Sequence, residues 1–181
     1  MSAIRQPAAP APPFFAIGRA KFVALSLTTF GLYQLVWLWQ HWRHRRKVAG
    51  ERVLPALRAV WFPWIFTIPL GYRIAKAGVA SGTAGWLSAL TAAILWTLFF
   101  VGSPFLPHGP WSALAILPIL FATWLQDLAN RVNAAVAPAH ERNHRFTFAN
   151  KVVVAIGSIL FVLATVGLFL ATEAVTVERH P

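Results

Sequence analysis

Residues His140, Glu141, Arg142, Asn143 and His144 spell H-E-x-x-H. On a helix this spacing sets two imidazoles one turn apart to hold zinc, with the glutamate as general base. Such a site needs a buried helix and a third ligand. Here the run follows Pro138, contains Arg142 and is followed by Arg145, which fits a solvated loop, and Glu173 and Glu178 lie beyond the next apolar block. A membrane metalloprotease using His140, Glu141 and His144 is therefore a remote reading. His41 and His44 sit at i, i+3, but Arg43, Arg45, Arg46 and Lys47 around them repel a cation. With no cysteine in the chain, thiolate ligands, disulfides and Cys nucleophiles are excluded. No metal or cofactor is expected.

A second constellation is polar. Gln126, Asn130 and Asn133 recur at i, i+4 and i+7 and share one helical face, next to Asp127 and Arg131 at i, i+4. In a membrane such a face marks a pathway or a partner surface. Gln126, Asp127 and Asn130 would carry it in a small transporter or channel subunit. The plainer reading is amides meeting the interface at a helix end, with Asp127 paired to Arg131, or else to Arg58 or Arg73. There are no paired carboxylates for acid–base work, no Ser-His-Asp set and no glycine-rich phosphate loop.

The third constellation is Trp37, Trp39 and Trp42 followed by Arg43, Arg45, Arg46 and Lys47. Tryptophan belongs at the membrane interface and Lys and Arg in cytoplasmic loops, and such a cluster suits anionic lipid head groups. The net charge is +11, yet the basic residues lie in short loops beside apolar blocks. That placement points to membrane topology rather than nucleic acid, which is not expected as a partner.

The elements that must position these groups are long apolar blocks. Of the 181 residues 57% are hydrophobic and 12% charged, about half the charged share of a soluble domain. The expected fold is all-α, a polytopic membrane helical bundle. Residues 1–20 form a Pro/Ala-rich flexible tail and residues 21–171 the membrane domain. Four helices span, over 21–42, 85–106, 110–129 and 152–171, each about long enough for a 30 Å hydrocarbon core. Residues 172–181 form a polar tail. Residues 54–76, with Pro63 and Pro69 inside a short apolar core, form a half-inserted segment; the alternative is five spans. Ser81, Gly85, Ala89 and Ala93 recur every four residues and read as a helix-packing face of small side chains. If 54–76 does not cross, Arg43 to Lys76 and Arg131 to Lys151 share the cytoplasmic side and both termini lie outside. Arg19 and Lys21 are then on the wrong side.

The stretch "KFVALSLTTFGLYQLVWLWQHWRHRRK", through Lys21, Thr29, Phe30, Gly31, Tyr33, Trp37, Trp42 and Lys47, resembles a family of uncharacterised bacterial multi-pass inner-membrane proteins. Arg58 and Ala59 in "RAVWFPWIF", and Asn130, Asn133, Arg142, Asn143 and Phe146 further on, also match its pattern. The resemblance implies a membrane location and carries no activity. The sequence thus points to a bacterial inner-membrane protein without catalytic activity. It would serve as an accessory, interaction or structural component among lipid, another membrane protein or copies of itself.

Overall fold

In a computed structural model, which describes residues 10–52, 54–106 and 114–178, the first apolar block is broken at its middle. It forms two helices, α1 (Arg19–Thr28) and α2 (Tyr33–Ala49). The Thr28 and Thr29 hydroxyls donate to the carbonyls of Ala24 and Leu25, at 2.8 and 2.7 Å, bonds that compete with the next helical turn. Phe30 and Gly31 then take φ of 51° and 86°, left-handed backbone that glycine adopts without penalty. The Thr29 hydroxyl also accepts the Tyr33 N–H at 2.9 Å, so one side chain closes α1 and opens α2. Phe22 of α1 packs against Tyr33 and Trp37 of α2, so the two run back to back as a hairpin. This corrects the expected single span over 21–42. At ten residues α1 is about 15 Å long, half a hydrocarbon core.

Gly50, at φ 64°, stops α2. The chain doubles back through a π-helical turn (Leu57–Trp61) packed on α2, then enters α3 (Pro63–Ala80). Pro63 begins α3, where its missing N–H is no loss, and Pro69 is carried inside it. Where the sequence suggests only a short core over 54–76, α3 is an 18-residue helix. It pairs antiparallel with α4 (Trp86–Gly102) in the most extensive helix–helix contact among the described residues. A Cβ on Gly71 would collide with Ala93 and Ala89. Ala89 and Ala93 therefore lie where α4 meets α3. Ser81 and Gly85 are not part of that contact, because they cap the turn between α3 and α4.

A 3-10 turn (Ser103–Phe105) extends α4, and α5 (Leu117–Val136) returns alongside it, with Phe99 against Phe121. Residues 107–113, where the span 110–129 was expected to begin, lie outside the described residues. The helix runs seven residues further than that expectation because its polar end is buried rather than interfacial. The last element, α6 (Phe148–Glu178), has 31 residues and includes most of the expected polar tail. A Cβ on its Gly157 would collide with the backbone of Thr28, so α6 is pinned to the tip of α1. Among the described residues there is no strand. Among the described residues two helices are long and apolar enough to cross a membrane, over Trp86–Phe105 and Phe148–Gly167.

The expected flexible tail is also corrected in part. Residues 1–9 lie outside the described residues, but Phe14, Ala16 and Ile17 are buried in the core with Trp37, Trp42, Trp96 and Phe22. This stretch is a strap between α2 and α5.

Candidate functional site

An extended strap cannot bond to itself, so its carbonyls need donors from elsewhere, and a ladder of amides supplies them. Asn133 on α5 donates to the Phe14 carbonyl at 2.9 Å and accepts the Phe14 N–H at 3.0 Å, as a neighbouring strand would. One turn back, Asn130 donates to the Ile17 carbonyl at 2.9 Å, and Gln126 to the Phe15 carbonyl at 3.1 Å. Asn143, in the loop before α6, donates to the Ala16 carbonyl at 3.1 Å. His44 reaches the Pro12 carbonyl at 2.7 Å.

Gln126 is fully buried and uses its whole hydrogen-bonding capacity. Its Oε1 accepts from Trp37 Nε1 at 2.6 Å and from His41 Nε2 at 2.9 Å, and its Nε2 also donates to Asn130 Oδ1 at 2.8 Å. An indole nitrogen only donates, which fixes the orientation of the amide. His41 must then carry its proton on Nε2, leaving Nδ1 with no partner among the described residues. Deeper along α2, Gln34 accepts from Trp96 Nε1 at 2.5 Å.

The amide face read from Gln126, Asn130 and Asn133 thus exists as one face, but it is inside the protein and holds the protein's own backbone. Asp127, beside it, approaches Arg19 at 3.6 Å; the expected partner Arg131 makes no ion pair within 4 Å. The His140 to His144 run is a loop, not a helix, so its imidazoles are not stacked one turn apart. His140 Nδ1 bonds to the Ala137 carbonyl at 2.6 Å, and Asn143 sits at φ 47°. Lys21, nearly buried, donates to Asn143 Oδ1 and the Arg145 carbonyl, both at 2.9 Å, and so staples this loop over the strap. The described residues contain no group of three or more His, Cys, Asp or Glu placed to hold a metal.

The Trp–Arg cluster divides. Trp37 and Trp42 are buried in the core and do not meet lipid, which corrects their expected interfacial place. Arg45 is engaged by Glu51, which Arg73 also approaches at 3.3 Å. Arg58 and Arg73 lie over the Trp42 ring, at 4.4 and 5.1 Å from its centre. Arg43, Arg46 and Lys47 remain exposed, Arg43 lying 5.0 Å over the half-buried Trp39.

The strap went unread in the sequence, although the apolar run Phe14, Phe15, Ala16, Ile17 after the prolines was its signal. Compared with known proteins, the chain matches no family model, no curated protein and no solved structure.

Proposed function

We propose that this chain is a multi-pass component of a bacterial inner membrane that acts by holding lipid or a protein partner and not by catalysis. The observation that carries this reading is α6. Its stretch Phe148–Gly167 has a mean hydropathy of 2.0, yet only 6% of it is buried against the rest of the chain. So bare an apolar helix is stable in lipid or against another apolar surface, not in water.

Two helices give independent depth rulers. Trp96, bonded to Gln34, is ten residues into Trp86–Phe105, and Gly157, packed on Thr28, is nine residues into Phe148–Gly167. With each stretch taken to begin at the hydrocarbon edge, a rise of 1.5 Å per residue puts the α1–α2 bend about 14–15 Å deep in the proposed topology, near the midplane. In this reading the α1–α2 pair enters and leaves by one face. So does the chain from Gly50 through α3, whose Trp64 carbonyl meets Thr97 at a similar depth. Helices α4, α5 and α6 cross. Every Lys and Arg except Arg5 and Arg179, which lie outside the described residues, then falls in the half of the molecule at one face. The positive-inside rule makes that face cytoplasmic, and Arg19 and Lys21 no longer oppose it.

The transporter reading loses support because Gln126 and Asn130 are engaged by the strap. Mild-detergent purification tests the proposal. The chain should stay with membranes through alkaline carbonate and copurify with lipid, a stoichiometric partner or itself. Recovery as a soluble monomer contradicts it. Solute flux abolished by Asp127→Asn would instead favour the transporter.

A further inference from the structure

Beside α2 two adjoining hollows open to the surface. The larger, about 600 Å³, is lined by Trp39, Arg43, Arg46, Lys47, Leu54, Pro55 and Ala56. The smaller, about 440 Å³, is lined by Arg46, Gly50, Glu51, Arg52 and Leu54. Arg46 borders both. Four cations, Arg43, Arg46, Lys47 and Arg52, rim this groove, and among the described residues no carboxylate pairs with any of them. The one acid present, Glu51, is already neutralised by Arg45 and Arg73. The other wall of the groove is apolar, made by Leu54, Pro55 and Ala56; beyond it in the chain, the π-helical turn leaves Leu57, Val60 and Trp61 41, 58 and 68% exposed.

We propose that this groove binds one anionic phospholipid, its head-group phosphate among Arg43, Arg46, Lys47 and Arg52 and its acyl chain along Leu57, Val60 and Trp61. The proposal rests on the membrane reading above and adds a site and a ligand class to it. Depth decides between lipid and a water-borne anion. Gln34 lies near the midplane, so Arg43 is about 14 Å above it and Arg46 about 18 Å, at the edge of a hydrocarbon core about 15 Å thick on each side. The turn that follows folds back along α2 toward the midplane. A free phosphate or a nucleic acid would use the cations and leave that apolar ridge without a role. A phospholipid uses both, and Trp39 under Arg43 suits the boundary between them. The site therefore differs from the cluster legible in the sequence: it excludes Trp37, Trp42 and Arg45 and adds Arg52, Leu54 and the π-helical turn.

The test is native mass spectrometry of the full chain released from detergent in the presence of phosphatidylglycerol or phosphatidylcholine. One phosphatidylglycerol should be retained in preference to phosphatidylcholine. A surface cation contributes roughly fivefold to binding an anionic lipid, so R46Q/K47Q should lower retention about 25-fold. R131Q/R142Q, two exposed cations outside the groove, should leave it unchanged. Leu57→Ser with Trp61→Ser should also weaken retention while millimolar inorganic phosphate does not compete. Equal retention of both lipids, or an equal loss in R131Q/R142Q, overturns the proposal. So does competition by inorganic phosphate, which would make the groove a site for a soluble anion. Either result in a chain that still resists carbonate extraction leaves the membrane reading standing. Recovery in the soluble fraction overturns both.

Discussion

Asn133 contributes two hydrogen bonds to a strap that has few other ways to satisfy its backbone. Replacing it with alanine leaves the Phe14 N–H and C=O buried without partners. Each orphaned group costs about 1–3 kcal/mol, so Asn133→Ala should lower the melting temperature in detergent and raise amide hydrogen exchange across residues 12–18. Unchanged exchange there would show that the clamp does not hold the strap. Gln126→Leu should be worse, since it orphans the Trp37 indole, the His41 imidazole and the Phe15 carbonyl together. At this scale the sequence shows much: three amides at i, i+4 and i+7 can only share a face. It does not show which way the face looks. An amide that solvates an interface and one that clamps a buried backbone have the same spacing, and the strap that distinguishes them lies over a hundred residues away.

Hydropathy locates the helices unevenly. Helices α4 and α6 lie close to where hydropathy put them, and the i−4 bonds of Thr97 to the Ala93 carbonyl and of Thr165 to the Phe161 carbonyl do not interrupt them, since no left-handed step follows. Block one has the same length and apolarity, but Thr28, Thr29 and Gly31 supply the bonds and the left-handed step for a reversal. A full reversal inside a span would expose unpaired backbone to lipid, so hydropathy reads the block as one helix. The reversal is braced by α6, through Gly157 on Thr28 and Phe161 on Phe30, and by α4, through Trp96 on Gln34, a tertiary fact absent from any local pattern. Gly31→Val should therefore destabilise the hairpin by about 1–2 kcal/mol, the penalty of left-handed backbone for a residue with a Cβ, read as a lower melting temperature. Gly157→Leu should separate α6 from α1 at a comparable or larger cost, typical of overpacking, whereas Ile159→Ser on the open face of α6 should leave stability in detergent within about 0.5 kcal/mol. Equal effects of the two α6 substitutions would contradict the role of Gly157 in pinning α6 to α1.

For the molecule as a whole, the charge asymmetry was legible but its assignment was not. With block one as a span, Arg19 and Lys21 stood on the wrong face; as a hairpin that enters and leaves by one face, they join Arg43 to Lys151. Under the proposed topology, the strap, the hairpin mouth and the loop before α6, stapled by Lys21 and Asn143, form one cytoplasmic layer, and α6 leads away to the other side. The chain contains no cysteine, so single cysteines can be placed at Ala20, Val48 and Thr172 in the native background and labelled in intact cells with a membrane-impermeant maleimide. The hairpin requires Ala20→Cys and Val48→Cys to be protected alike and Thr172→Cys, beyond the apolar stretch of α6, to label from outside. If Ala20→Cys labels from outside while Val48→Cys does not, block one crosses the bilayer and the hairpin reading is wrong.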